Sequence, residues 1–268
     1  MSDLHLLRLA IDPAGLARLA RHLHIADEDD AGYRLHALLA GLFGDAAPAP
    51  WQRDDRTPTR HLVLWAYSSL TWDALATLAH DRFTAPDAVG LDADLISLLR
   101  GALAWEACAS KPVVPLAQGR TIAFDLRACA VVRLHRDLPG IPATGDHGAI
   151  AARKAGNEVD VLIAEALRQQ VHPSALPTET IYQTWLASAL GRTNGSTVEH
   201  LQLTGQRTIS GLRRHQAGGR RPIHLPEVRA TGTLTITDPV AWAATLARGI
   251  GRHRAFGFGM LLLRPVAG

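Results

Sequence analysis

Arg252, His253 and Arg254 stand between two pairs of glycines, Gly249 and Gly251 before them and Gly257 and Gly259 after them. Glycine takes φ > 0 and lets a backbone come close to a ligand. Cations held between such residues, with successive backbone N–H groups beside them, suit an anion and above all a phosphate. A second group lies more than two hundred residues earlier. Tyr33 and His36 are spaced i, i+3, which puts them on one face of a helix. An imidazole near its ordinary pKa gives or takes a proton at neutral pH. Arg213, Arg214, Arg220 and Arg221 surround Gly218 and Gly219 and read as a basic tip. By the period of two, Arg127 and Arg133 share one face of a strand. Arg153 and Lys154 open a helical region. Together these are groups for holding phosphates and moving protons.

Other chemistries are disfavoured. The glycine loop has no Lys-Ser/Thr end, so it is not a nucleotide-hydrolysing P-loop. His22 and His24 are two apart and diverge on a helix. His215 and His224 straddle a turn with no cysteine or paired carboxylate, so no metal site and no cofactor are expected.

Several elements must position these residues. Leu4 to Ile11 reads as a strand and Pro13 to Leu23 as a helix with leucines at helical spacing. The acidic run Asp27 to Asp30 is a favourable flank for a helix over Ala31 to Phe43, because carboxylates suit the positive end of the helix dipole. His61 to Tyr67 reads as a strand, Trp72 to His80 as a helix, residues 87–105 as helical, and Arg120 to Arg136 as one long strand. The first part therefore has the ferredoxin-like order. Pro139 to Gly148 reads as a linker, and Glu158 to Gln170 and Thr178 to Leu190 as amphipathic helices. His200 to His215 and Ile223 to Thr237 form a hairpin. A helix over Asp238 to Arg248 has Asp238 as its N-cap and Pro239 at its first position. The glycine loop then enters a final strand at Met260 to Leu263. The expected fold is α+β: tandem ferredoxin-like (RRM-like) domains with a helical insertion. The first domain spans 1–138, and 139–268 holds the insertion and a second domain with the glycine loop.

Composition bounds the partner. Residues 1–110 carry 9 Arg and no Lys against 15 Asp and Glu, whereas residues 111–268 carry 19 Lys and Arg against 10 Asp and Glu. The back half is therefore the cationic half, and it contains the loop. Nearly all the charge is arginine, which suits bidentate phosphate contacts. With 47% apolar residues the chain has ample material for a core. Cys108 and Cys129 make no disulfide framework, which fits a reducing cytoplasm. No signal-peptide pattern or membrane span is expected. Aromatic content is 5%, so stacking on single-stranded bases is less supported than recognition of a backbone. The scattered tryptophans read as core.

The segment GIGRHRAFGFGMLLLRP resembles the glycine-rich signature of the RAMP superfamily of CRISPR-associated proteins. The likeness is closest to the crRNA-processing endoribonucleases of type I-E, the CasE enzymes, and a type IV counterpart would also fit. TGTLTITDPVAWAATLARGIGRHRAFGFG is similar to the family's last strand, helix and loop. GYRLHALLAGLFGD is similar to its early helix, and AFDLRACAVVR to the strand that closes its first domain. The resemblance is specific at the C-terminus, good at Tyr33/His36 and weak between about 85 and 200. It implies a metal-independent endoribonuclease that cuts CRISPR precursor RNA at the base of a repeat hairpin. The 2′-OH would attack the adjacent phosphate, leaving a 2′,3′-cyclic phosphate and a 5′-hydroxyl. It implies His36 as general acid or base and Tyr33 as its positioning partner. Arg127, Arg133, Arg153, Lys154, Arg213, Arg214, Arg220, Arg221, Gly251, Arg252, His253, Arg254 and Gly257 would contact RNA. The expected partners are the repeat RNA hairpin and other subunits of a CRISPR effector complex. The alternative is a non-catalytic crRNA-binding scaffold subunit of the same superfamily.

Overall fold

The structure is a computed structural model that describes residues 4–25, 31–55, 60–85, 90–192, 195–214 and 220–266, without the side chains of 210–223. The acidic run Asp27 to Asp30 and the turn between the hairpin strands lie outside the described residues.

Strand β1 (His5–Ile11) leads into α1 (Pro13–His22), which Asp12 caps by accepting the Gly15 N–H at 2.9 Å. Helix α2 (Ala31–Phe43) buries Leu35, Leu38, Leu39, Leu42 and Phe43, an apolar stripe at helical spacing. Strands β2 (Trp51–Arg53) and β3 (Leu62–Ser68) follow, then α3 (Trp72–Thr84), α4 (Ala93–Gly101) and β4 (Ala109–Pro112). The four strands form an antiparallel sheet in the order β2-β3-β1-β4.

The second sheet begins at β5 (Thr121–Cys129). Beyond it come β6 (Val131–Arg133), β7 (Glu158–Asp160), α5 (Val161–Gln169) and α6 (Thr178–Gly191). The long hairpin β8 (Ser196–Arg214) and β9 (Arg220–Ile236) follows, then α7 (Pro239–Arg248) and β10 (Leu261–Arg264). The order is β10-β5-β9-β8. Read from its other edge, each sheet has its first strand beside its third and fourth, with the second strand outermost. This is the βαββαβ arrangement twice over, so the tandem ferredoxin-like fold expected from sequence is present. Among the described residues no helix is long and apolar enough to cross a membrane.

Three local expectations are corrected. The stretch Arg120 to Arg136 is not one strand closing the first unit. It breaks at Ala130, and β5 lies inside the second sheet, paired to β9 and β10. Its alternating Ile122, Phe124, Leu126 and Ala128 pack with Val228, Ala230 and Leu234 of β9. The closing strand of the first sheet is β4, whose mostly exposed Ala-Ser-Lys-Pro carries no apolar pattern because it is an edge. The break also removes the shared face expected for Arg127 and Arg133. Pro139 to Gly148 is not a free linker. It lies in an excursion held by bridges Leu138–Arg153, Ile141–Ile150 and Thr144–His147, with Leu138 and Ile141 buried against Val159, Ala164 and Leu167. Finally, Glu158 to Gln170 starts as a strand. Asp160 then caps α5 through the Leu162 N–H at 2.8 Å, so the helix begins three residues later than its apolar spacing predicts.

Candidate functional site

The glycine loop is the junction of the two sheets. From the first, Trp51 of β2 donates its indole N–H to the Ala255 carbonyl at 3.1 Å. From the second, the Arg127 carbonyl of β5 accepts the Gly259 N–H at 2.7 Å, and Cys129 bridges to Arg252. Gly257 has φ 84°, and a Cβ there would stand 2.5 Å from the Trp51 ring. Both conformation and space therefore require glycine. Gly251 has φ 76° and lies open toward Trp185 of α6, with the nearest ring atom 3.7 Å from an added Cβ. The N–H groups of Gly249, Ile250, Phe256, Gly257 and Gly259 bond within the loop and its supports. Residues Gly251 to Ala255 line the cleft.

That cleft has a volume of about 1610 Å³. The glycine loop, α2, the β6–β7 ribbon and the ends of α6 and α7 line it. Tyr33 reaches it, while His36, one turn further along α2, is not among its lining residues. The His36 ring sits 4.5 Å from the Phe256 ring centroid, and the Tyr33 ring stacks on Phe256 at 6.3 Å. Half-burial lowers the His36 pKa below 6.5, and a hydrogen bond with the Ala255 backbone opposes this. His36 is therefore more fully neutral at pH 7 than an exposed histidine. The helix pair and the loop, distant in sequence, are in direct contact.

The cations fall into distinct groups. Arg252 and His253 converge on Glu158 of β7, with Arg252 Nη1 at 2.6 Å from one carboxylate oxygen and His253 Nε2 at 3.0 Å from the other. Arg254 donates to the Arg248 carbonyl at the end of α7. Arg133 is exposed and lines the cleft. Arg192 at the end of α6, Arg248 at the end of α7, and His135 line it as well. Sequence reading missed these three: only the packing of α6 and α7 brings Arg192 and Arg248 to the loop, and His135 comes to the cleft just beyond β6. The sole sequence signal of Arg192 and Arg248 is a cation near a helix C-terminus, which is common for dipole reasons alone.

Arg127 plays a different part from the phosphate contact expected of it. Its side chain is 11% exposed, and its guanidinium pairs with Glu227 at 2.6 Å, donates to the Gly257 carbonyl at 3.2 Å and lies 4.4 Å from the Phe258 ring centroid. Glu227 is almost fully buried and also accepts from Arg207 at 3.1 Å and Arg229 at 2.7 Å. A buried carboxylate needs such compensation, and Arg127 supplies it beneath the loop. Although burial pushes the Glu227 carboxyl up, the Arg127 charge and the hydrogen bonds from Arg229, Arg127 and Arg207 outweigh it and hold the pKa below 4.5. Arg153 donates to the Ala151 and Ala152 carbonyls, and Lys154 pairs with Asp137 at 2.9 Å on the exposed excursion. Neither is among the residues lining the cleft. Arg213 and Arg214 lie opposite Arg221 and Arg220 where β8 ends and β9 begins, and their side chains lie outside the described residues. Among the described residues no group of three or more His, Cys, Asp or Glu could hold a metal ion.

The fold agrees with what the chain is similar to. Thermus thermophilus Cse3, bound to an RNA representing a pre-cleavage complex, aligns with a TM-score of 0.57 at 21% identity, over 98% of this chain and 100% of that one. Cas6e from Escherichia coli K-12 aligns with 0.52 at 19%, over 98% and 100%. A chain of a CRISPR RNA-guided surveillance complex in a pre-nicking state aligns with 0.54 at 19%, again over 98% and 100%. No curated protein sequence matches. The family model described as CRISPR associated protein matches residues 4–265, nearly the full length, and the chain belongs to that CRISPR-associated protein family.

Proposed function

We propose that the chain is an endoribonuclease that cuts CRISPR repeat RNA at the base of its hairpin and stays bound to the product. One observation carries this reading: the Tyr33/His36 face of α2 packs on Phe256 of a loop whose cations line a large cleft. The RNA supplies its own nucleophile. The 2′-OH attacks the adjacent phosphorus, the bond to O5′ breaks, and the products are a 2′,3′-cyclic phosphate and a 5′-hydroxyl. What remains for the protein is to align the strand, move two protons and stabilise the crowded phosphorane. His36, held neutral by burial, takes the 2′-OH proton, and Tyr33 positions it at the cleft wall. Arg252, Arg254 and Arg133 hold phosphates, with the N–H groups of Gly251 to Ala255 beside them. Arg213, Arg214, Arg220 and Arg221 grip the stem from the hairpin tip. No step requires a metal. After cleavage the chain serves as a subunit of a CRISPR effector complex in the cytoplasm.

The test is single-turnover cleavage of a hairpin repeat RNA with excess chelator present. Cleavage is expected to persist in chelator, to stop with a 2′-deoxy scissile nucleotide and to slow about 10²–10⁴-fold in His36→Ala. Undiminished cleavage by His36→Ala would remove that residue from the mechanism. Tight binding without cutting of any repeat would leave the non-catalytic scaffold instead.

A further inference from the structure

Cleavage by 2′-OH attack needs two proton transfers, and the half-buried His36 supplies one site. His253 has three features that a phosphate-binding loop residue does not need. First, it is a non-glycine residue in the left-handed region, with φ 59° and ψ 32°. Such strain persists only where the surroundings enforce it, and it clusters at functional sites. Second, its Nε2 lies 3.0 Å from a Glu158 carboxylate oxygen, and both residues line the cleft. A carboxylate so placed fixes the ring's orientation and stabilises the imidazolium, as the acid of a catalytic triad does. Third, its side chain lines the cleft and its ring stands 6.2 Å from Phe256, the same ring that His36 and Tyr33 contact. The two histidines therefore share one aromatic neighbour while meeting different partners, the Ala255 backbone for His36 and a carboxylate for His253.

Building on the endoribonuclease reading above, we propose that His253, oriented by Glu158, is the general acid that protonates the leaving O5′ while His36 takes the 2′-OH proton. The balance is simple. The O2′–P bond forms as the P–O5′ bond breaks, one proton moves from the 2′-OH to His36, and one moves from His253 to O5′. Solvent then restores both rings. Glu158 is a positioning residue, because it acts through His253. Arg252, which binds the other oxygen of the same carboxylate, tempers the charge that His253 feels. Arg254 is the next cation along the loop.

The experiment uses His253→Asn, since asparagine tolerates the left-handed backbone and retains a polar group toward Glu158. Single-turnover cleavage of the repeat RNA is expected to fall about 10²-fold or more, with RNA affinity within a few-fold of wild type. The decisive arm is a substrate with sulfur in place of the scissile O5′, whose thiolate leaves without an acid. On it His253→Asn should cut nearly as fast as wild type, while His36→Ala should stay slow. Glu158→Gln should move the high-pH limb of the rate profile to lower pH, because the imidazolium loses its stabilising charge. A purely structural Glu158 would scale the rate equally at every pH. His253→Asn cutting the ordinary RNA at the wild-type rate, or remaining slow on the sulfur substrate, would overturn the assignment. Failure of the unaltered chain to cut at all would instead overturn the endoribonuclease reading.

Discussion

Two carboxylates gather the cations around the glycine loop, and they differ in what surrounds them. Glu227 lies beneath the loop with its side chain 1% exposed and is matched by Arg127, Arg207 and Arg229. Glu158 lines the cleft with 32% of its side chain exposed and is matched by Arg252 and His253. The same ion-pair chemistry thus serves two ends. Burial makes the first pair set costly to break, so it fixes where the loop can be. Solvent and an open cleft make the Arg252–Glu158 pair of the second set the easier one to rearrange, while His253, less exposed, stays beside the carboxylate. An arginine near the glycine loop is therefore not by that fact one that faces the cleft.

The largest effect expected from this contrast is on stability. Glu227→Ala leaves Arg127 without its counter-charge in a dry setting and should lower unfolding free energy by about 3–5 kcal/mol in urea titration. The acid limb sharpens the point. The folded Glu227 pKa is depressed, so its contribution is present above 4.5 and is lost as pH falls through the lowered value. Glu227→Gln should flatten stability against pH on that limb. A variant as stable as wild type with an unchanged acid limb would break the comparison.

An intermediate effect separates the arginines. Arg252→Gln should reduce the slope of log affinity for hairpin RNA against log salt by about one, with little change in unfolding. Arg127→Gln should do the reverse, lowering stability while leaving the slope nearly intact. Identical behaviour of the two would mean that burial does not sort them. The smallest effect belongs to Glu158→Gln, whose partly exposed pairs should contribute no more than about 1 kcal/mol to stability in the same urea titration.

These assignments also mark what could be read from the sequence. Helix α2 is where its leucines place it, and Asp238 caps α7 as expected, accepting the Val240 and Ala241 N–H groups at 2.8 and 3.2 Å. Such features are local, since periodicity and caps act over one or two turns. The glycine loop and the Tyr33/His36 pair were legible for the same reason, and the resemblance joined them. Other features depend on distant partners. Strand β5 joins the second sheet because β9 and β10 complement it, and neither lies near it in the chain. Glu227 sits in a strand as one acidic residue among many, and only the pairing of β8, β9 and β5 gathers three arginines around it. Arg192 and Arg248 come to the cleft through helix packing. Glu158 was read as the start of a helix, which concealed its place opposite His253.

The contact between Trp51 and Gly257 has a consequence for how such a loop can change over generations. The indole covers the glycine and also donates to Ala255, a residue 204 positions away. A side chain at position 257 needs a smaller ring at 51 and still bears the strain of a φ of 84°, and a smaller ring leaves the Ala255 carbonyl without that donor. Neither position can drift first without loss. In a lineage carrying this loop the two sites should be replaced together or remain fixed together, so variation at 51 is a record of constraint at 257.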